Sequence, residues 1–177
     1  MASSQANASV GFPQGVTGLW SGRLLAGLQA GVLAGLCMTG WLMMESLRRG
    51  QPVWSTPNLV STVLLGRRGL DPTFGAATLA GLSLLVVVAG MHGIVFAALM
   101  PPASGPLWAA NAGVLFSLSS YGFFFGWALG YLAPLFSQRA SRPAWIGAHF
   151  LFGMILGLYP DFAMDFQPSE KPTEGTE

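Results

Sequence analysis

Residues 75–100 read GAATLAGLSLLVVVAGMHGIVFAALM, and Pro101 and Pro102 follow at once. The stretch contains no charged side chain and, as a helix, is long enough to cross a hydrocarbon core of about 30 Å. Proline lacks the backbone N–H that a continuing helix needs, so the helix is expected to end at Met100. This segment predicts an integral membrane protein.

The composition of the whole chain supports the same class. Only 8% of the 177 residues are charged and 52% are hydrophobic, whereas about 25% of residues are charged in a soluble protein. The net charge of +1 and the lack of a basic stripe give no reason to expect nucleic acid as a partner. The single cysteine, Cys37, excludes an intrachain disulfide. The expected partner of most of the surface is therefore the lipid bilayer.

Three more apolar stretches are predicted to cross the membrane. They cover about residues 24–47, 107–136 and 143–159, and Pro160 is expected to close the last one. The predicted fold class is all-α, a polytopic membrane protein with a bundle of four transmembrane helices.

The segments outside the four spans have their own composition. Residues 1–23 are polar and contain Pro13 and Gly15, which predicts a flexible N-terminal tail. Residues 161–177 are acidic and rich in Pro, Glu and Thr, which predicts a disordered tail. Between spans 1 and 2, about residues 57–66 carry an apolar stripe and predict a short helix lying in the membrane interface. That helix either rests on lipid or offers a docking surface for a partner.

The arginines indicate an orientation. Six of them fall in the loops on one side of the predicted bundle, and only Arg23 and Lys171 fall on the other. Basic residues are enriched in cytoplasmic loops, so both termini are expected outside the cytoplasm of a bacterial cytoplasmic (inner) membrane. The six are Arg48, Arg49, Arg67, Arg68, Arg139 and Arg142.

Glycines recur at every fourth position in three of the predicted spans. Such ladders let another backbone approach closely, so they are expected to pack helix against helix. In addition, Gly90-Met91-His92 and Gly147-Ala148-His149 each precede a proline, which suggests two copies of one helical hairpin. The ladder residues are Gly27, Gly31, Gly35, Gly122, Gly126, Gly130, Gly153 and Gly157.

The two histidines, His92 and His149, are the candidates for chemistry. Counted from Pro101 and Pro160, they lie about 13.5 Å and about 16.5 Å deep at 1.5 Å per residue, near the middle of the membrane. Ionisable residues at that depth are functional candidates by default. A polar layer at similar depth is predicted from Ser117, Ser120 and Tyr121 on the third span and Cys37 and Thr39 on the first.

Several interpretations of the histidines stay open. They hydrogen-bond to Ser117, Ser120 or Tyr121 and hold helices together, or they act as axial ligands of haem b or of a chlorophyll. For a bound ring, Ala89 and Gly153 would leave room, and the aromatic residues Phe123, Phe124, Phe125 and Trp127 would line it. A third interpretation is ion or solute passage through the histidines and Glu45. A copper site would instead recruit Cys37 and methionines.

No signature of a soluble enzyme is present, and neither catalytic nor metal-binding residues are assigned. The leading functional expectation is a non-enzymatic accessory or structural subunit of a larger membrane complex, or a self-associating bundle. The alternative is a haem b or (bacterio)chlorophyll protein for electron transfer or pigment binding through His92 and His149. A small transporter or channel is the second alternative.

The chain resembles a group of functionally uncharacterised bacterial four-span membrane proteins. The likeness rests on the glycine-rich first span, Trp54-x-x-Pro57-Asn58-Leu59, a Gly-x-His before proline, and a later histidine ahead of two glycines. It covers most of residues 24–160. The resemblance implies the topology and no activity.

Overall fold

The computed structural model describes residues 14–101 and 105–164, with side chains from residue 20 onward, and every regular element among them is a helix. Four long helical stretches build the bundle, and shorter helices connect or extend them. In chain order the elements are α1 (Gln14–Arg48), α2 (Ser55–Leu65), a 3-10 helix (Gly66–Leu70), α3 (Ala76–Leu99), α4 (Pro106–Phe123), a π-helix (Phe124–Ala128), α5 (Leu129–Leu132), α6 (Pro134–Arg139), α7 (Arg142–Leu156) and α8 (Tyr159–Met164).

Four helical stretches are long and apolar enough to cross a membrane, so this part of the prediction is confirmed. They are Trp20–Arg48, Ala76–Leu99, Pro106–Leu132 and Arg142–Met164. The third stretch joins α4, the π-helix and α5, and the fourth joins α7 and α8.

The first and third stretches differ from their predicted bounds. Helix α1 begins at Gln14, so the flexible tail predicted over residues 1–23 is wrong from residue 14 onward; the earlier residues lie outside the described part. The third stretch ends at Leu132 rather than near residue 136, because Ala133 leaves the helical conformation with φ −144° and ψ 64°. Proline disfavours a helical conformation in the residue before it, and Pro134 follows.

The fourth stretch continues past Pro160, where the sequence predicted its end. Helix α7 stops at Leu156, and α8 starts at Tyr159 with Pro160 as its second residue. Proline is tolerated in the first turn of a helix because its missing N–H has no partner there. The predicted tail therefore begins no earlier than residue 165, and the rest of it lies outside the described residues.

Helix α1 packs against α3 along a seam of small residues. A β-carbon built on Gly93 would lie 2.7 Å from the Gly31 Cα, and one on Gly31 would lie 2.8 Å from the Gly93 Cα. Gly27 and Gly35 meet Ala97 and Ala89 in the same way. Close backbone contact along a small-x-x-x-small ladder is what holds these two helices together, as the first-span glycines predict.

The second helix pair, α4 with α7, packs through the predicted Gly153 and Gly157, but the residues that face them on α4 were not predicted. Gly153 of α7 and Gly157, which follows the end of α7, meet the backbone of Val114 and Ala110, with a built β-carbon 2.5 Å from each Cα. The facing ladder on α4 is Ala109, Gly113 and Ser117, all of them buried. The seam of this pair is thus an Ala-x-x-x-Gly-x-x-x-Ser ladder.

The predicted ladder on the third span, Gly122, Gly126 and Gly130, packs against nothing in the described part of the chain. A β-carbon built on any of the three meets no atom within 4 Å. Gly122 follows Gly113 by nine positions, which at about 100° per residue puts it on the opposite face of the helix. These glycines therefore pack against no helix in the described part of the chain, and packing against a helix of another chain stays a prediction. The two hairpins also do not share one packing pattern, which speaks against a simple duplication.

A helix does occupy the stretch between the first two spans, but α2 packs against α3 instead of resting on lipid alone. Pro57 contacts Gly81 so closely that a β-carbon on Gly81 would lie 2.6 Å from the Pro57 carbonyl carbon. Three polar side chains of α2 are buried: Asn58, Ser61 and Thr62. The polar face of this helix therefore turns inward, toward protein.

Asn58 holds the loop between α2 and α3 in place through hydrogen bonds. Its side-chain amide donates to the carbonyl oxygens of Asp71 and, at 2.9 Å, Thr73, while its Oδ1 accepts from the Thr78 hydroxyl at 2.6 Å. Within the loop, the Asp71 carboxylate accepts from the Thr73 hydroxyl and backbone N–H, which lowers the pKa of Asp71. Asn58 is only 1% exposed, so these bonds are shielded from water.

Arg23 of α1 binds the end of α3. Its Nη2 donates to the carbonyl oxygens of Ala97 at 3.0 Å and Met100 at 2.7 Å, and its Nε lies 3.4 Å from the buried Tyr159 hydroxyl. The last carbonyls of a helix lack partners inside the helix and carry partial negative charge. The Arg23 guanidinium therefore satisfies these acceptors, and it joins α1, α3 and α8.

We expect Arg23→Ala to lower the stability of the bundle by about 1–2 kcal/mol, because it exposes those helix-end carbonyls and removes a charge from the negative end of α3. Thermal unfolding in detergent, followed by circular dichroism, measures the change. Arg68→Ala, at an exposed position, is the matched control and should change little. Equal unfolding temperatures for the two variants would contradict the assigned role of Arg23.

Candidate functional site in a cavity with two histidines

A cavity of about 250 Å³ lies between α3, the third long stretch and α7. We call it the histidine cavity, because both histidines of the chain line it. Its wall is otherwise almost entirely apolar and contains several aromatic rings. The lining residues with polar side-chain atoms are His92, Ser117, Ser120, Trp145 and His149.

The cavity exists because α3 and α4 do not pack closely against each other, although each packs tightly against another helix. Aromatic side chains partly bridge the gap: the His92 ring centroid lies 6.1 Å from that of Phe116 and 5.7 Å from that of Phe124. Val88 and Leu132, which line the cavity, are also exposed at the outside of the bundle. The cavity is thus open toward the medium around the bundle.

The π-helix forms part of the cavity wall. It begins at Phe124 and includes Phe125, and both side chains line the cavity. A π-helical turn inserts an extra residue into the helix and re-aims the side chains after it; such turns occur frequently at functional sites. The π-helical turn therefore lies in the cavity wall, at the gap that the packing of α3 and α4 leaves.

Both histidines are held in the same way by their own helices. The Nδ1 of His92 lies 2.8 Å from the Val88 carbonyl oxygen, and the Nδ1 of His149 lies 2.9 Å from the Trp145 carbonyl oxygen. A carbonyl oxygen only accepts, so each Nδ1 carries the proton and donates it. In the neutral ring, Nε2 then presents a lone pair. The hydrogen bond from Nδ1 to the backbone carbonyl fixes the orientation of the ring and so the direction of that lone pair.

Neither Nε2 atom has a hydrogen-bond partner among the described residues, and neither is fully enclosed by protein. An imidazole lone pair in an apolar wall accepts from a donor or binds a Lewis acid. The cavity therefore offers two acceptor sites, on two different helices, to any molecule that occupies it.

The serines do not bond to the imidazole rings as the sequence predicted. The Ser117 hydroxyl donates to the backbone carbonyl of His149 at 2.7 Å, and the Ser120 hydroxyl donates to the Phe116 carbonyl at 3.0 Å. Tyr121 meets His149 through its ring, with 5.3 Å between centroids. The predicted bonds from these three residues to the imidazole nitrogens are therefore absent from the described part of the chain.

The residues of α1 in the predicted polar layer do not line the histidine cavity. Cys37 is exposed, and the buried Thr39 hydroxyl donates to the Gly35 carbonyl of its own helix at 2.7 Å. From the described part of α1, only Met38 lines the cavity. The polar groups of the cavity therefore come from α3, α4 and α7, and the common depth of the predicted layer stays a prediction.

A porphyrin macrocycle does not fit the cavity as it stands. A cavity of about 150 Å³ holds benzene and drug-sized ligands occupy about 300 Å³ or more, so the observed volume corresponds to one or two fused rings. Gly153, expected to leave room for a ring, is covered by Gly113 and Val114. Two of the aromatic residues expected to line the ring, Phe123 and Trp127, are exposed on the outside.

The copper site and the path for ions, the two remaining interpretations, also lack some of the residues that they need. No group of three or more His, Cys, Asp or Glu side chains gathers anywhere in the described residues, and the exposed Met44 and Met91 turn away from any copper site at the cavity. For ion passage, Glu45 is occupied by Arg48 at 2.6 Å and Arg49 at 2.9 Å. Among the residues of known placement, no Asp, Glu, Lys or Arg side chain lines the cavity.

Sequence reasoning missed the residues that α2 and α6 contribute to the cavity. Val60 and Val63 of α2 and Phe136 of α6 line it, although both helices lie outside the long stretches. The ladder of Ala109, Gly113 and Ser117 was also missed. Its signal was available in the sequence as three small residues at a spacing of four.

No protein-family model matches the chain, and neither the curated proteins nor the solved structures contain a similar protein at a significant level. The fold and the site therefore define only a class: a helical bundle with four candidate membrane-spanning helices and an apolar cavity that presents two imidazoles.

Proposed function

We propose that the chain is a multi-pass protein of a bacterial cytoplasmic membrane with both termini outside the cytoplasm. Four long apolar helices and the low content of charged residues support insertion in lipid. The loops with Arg48, Arg67 and Arg139 lie at one end of the bundle, and Arg23 lies at the other. The excess of arginine at the first end supports a cytoplasmic location for it.

Within that membrane, we propose that the protein is a non-enzymatic accessory protein that binds a small ring-shaped apolar ligand from the lipid phase. The observation that carries the proposal is the histidine cavity itself: an apolar space of about 250 Å³ that presents two imidazoles with available Nε2 atoms. Ligand sites are typically apolar pockets with a few converging polar groups.

A role as a subunit of a larger assembly has separate support. Gly122, Gly126 and Gly130 form an open face on the third long stretch, with no described atom within 4 Å of a built β-carbon. Exposed glycines at this spacing permit the close approach of another helix.

Filling the mouth of the cavity tests the binding role. Val88→Phe adds a ring where Val88 lines the cavity, and we expect naphthalene to bind at least about tenfold more weakly, since the space for a two-ring ligand is lost. Val87→Phe is the matched control, because the neighbouring Val87 is 58% exposed and does not line the cavity.

The measurement is the fluorescence of naphthalene bound to protein in detergent, with protein-free micelles subtracted. Saturable binding by the wild type and by Val87→Phe, together with weak binding by Val88→Phe, supports the proposal. If the three proteins bind naphthalene no better than empty micelles, or if Val88→Phe binds as well as the control, the cavity is not a ligand site.

A further inference from the structure

The polar groups of the histidine cavity are unequal in number: acceptors outnumber donors. His92 and His149 each present an Nε2 lone pair, because each Nδ1 proton is already donated to a backbone carbonyl. The hydroxyl protons of Ser117 and Ser120 are likewise donated to carbonyls. Among the described lining side chains, only the Trp145 indole N–H is left as a donor.

We propose that the natural ligand is a ring carrying two hydroxyl groups, a membrane hydroquinone held in its reduced form; this inference rests on the proposed ligand-binding function. Each Nε2 accepts one hydrogen bond, and one hydroxyl group can donate only one. Two imidazoles are therefore satisfied by two hydroxyl groups on one ligand. A phenolic oxygen also accepts, so it can take the Trp145 N–H as well.

The oxidised quinone is a poor match for the same groups. Its two carbonyl oxygens only accept, so they would face the lone pairs of His92 and His149 without a proton between them. Unpaired polar groups in an apolar site weaken binding, and a site built to hydrogen-bond a hydroxyl rejects an analogue without it. A bare metal ion is also expected to bind poorly, because the described residues supply no third ligand of the His, Cys, Asp or Glu type.

The shape of the cavity agrees with a quinol head group. Its volume accommodates one or two fused rings. The exposed rim at Val88 and Leu132 leaves a route by which an apolar tail on the ring can extend into lipid. The head then lies between the aromatic rings of Phe124, Phe125 and Phe152, which line the cavity.

A series of two-ring probes tests the inference in the wild-type protein. Naphthalene has no hydroxyl, 2-naphthol has one, 1,4-dihydroxynaphthalene has two, and 1,4-naphthoquinone has two carbonyls on the same ring frame. We expect affinity, measured in detergent under anaerobic conditions, to rise about three- to tenfold with each hydroxyl. The quinone is expected to bind no more tightly than naphthalene. A gain that stops at one hydroxyl would instead indicate a lipid with a single alcohol group, and would overturn the inference.

Two variants assign the effect to the imidazoles. His92→Phe and His149→Phe each keep a ring and remove one acceptor, so each should lower the preference for 1,4-dihydroxynaphthalene over naphthalene about three- to tenfold. Ser137→Ala is the matched control and should keep the preference, because the Ser137 hydroxyl donates to the Pro134 carbonyl oxygen and Ser137 does not line the cavity. Naphthalene binding serves in every variant as the check that the cavity is intact.

The two proposals fail in different ways. If naphthalene binds but hydroxyl groups add nothing, or if the quinone binds more tightly than the hydroquinone, the inference about the ligand is wrong and the binding role stands. If naphthalene itself does not bind, the proposed function is wrong. A variant that loses naphthalene binding reports a damaged cavity, and the ratios measured for the wild type then decide between the outcomes.

Discussion

Gly93→Ala is expected to separate α1 from α3 and to destabilise the protein by about 3 kcal/mol, since added atoms in a packed seam force the backbones apart. The β-carbon of the alanine would lie 2.7 Å from the Gly31 Cα and still closer to the Gly27 carbonyl oxygen. Both neighbours are backbone atoms, which cannot move away as a flexible side chain can. The only relief is a shift of one whole helix, which opens the seam along its length.

The matched control for this substitution is Gly122→Ala. The chemical change is identical and both glycines are helical, but the Gly122 position is open, with no described atom within 4 Å. Alanine is favoured over glycine in a helix by up to about 1 kcal/mol, so this variant should be as stable as the wild type or slightly more stable. The two alanine variants are therefore expected to shift stability in opposite directions.

Reversible unfolding in mixed micelles of mild detergent and dodecyl sulfate, followed by circular dichroism, measures both changes. A loss of stability in Gly93→Ala that Gly122→Ala does not share supports the seam as described. Equal stability of the two variants would show that α1 and α3 are further apart than the structure has them. Equal losses in both would point to a partner helix that covers Gly122 as well.

Asn58→Ala is expected to have the second-largest effect, a destabilisation of about 2 kcal/mol, because it leaves several buried polar groups without partners. The amide of Asn58 serves the carbonyl oxygens of Asp71 and Thr73 as well as the Thr78 hydroxyl. Thr78 is fully buried, so water cannot readily replace the lost bond. The loop between α2 and α3 is expected to come loose before the rest of the bundle.

Limited proteolysis at the 66–75 loop and the unfolding transition together measure this effect. Asn111→Ala is the control: that asparagine is exposed and donates only to the Leu107 carbonyl of its own helix, at 2.8 Å. We expect rapid cleavage of the loop in Asn58→Ala and none beyond the wild-type rate in Asn111→Ala. A protected loop in Asn58→Ala would mean that the Asn58 hydrogen bonds do not hold it.

The number and type of the main elements follow from the sequence because apolar length is a local property. The stretch from Ala76 to Leu99 is hydrophobic all round, and no partner helix is needed to recognise it. Helix ends are less predictable, since a proline permits two outcomes. Pro134 is the first residue of α6 and Pro160 is the second residue of α8. However, α6 is separated from the third stretch by the break at Ala133, whereas α8 continues the fourth stretch.

Which glycine ladder packs against another helix cannot be predicted from the local sequence. Gly31 and Gly122 belong to the same sequence pattern, but one lies in a seam between helices and the other is open. Which face of a helix turns inward depends on the neighbours it finds, and the third long stretch presents Gly113 rather than Gly122. A pattern of small residues shows that close packing is possible; only the assembled bundle selects the pair that meets.

The chain by itself determined that His92 and His149 would be the polar centre of an apolar bundle, since residue type and distance from the helix ends are properties of sequence. The tertiary structure decided what they do there. The looseness between α3 and α4 opens a cavity that both rings line, and hydrogen bonds to Val88 and Trp145 leave both Nε2 atoms free to accept. Rotation about each helix axis, set by packing against α1 and α4, brings the two rings to one cavity, and no local pattern specifies that rotation.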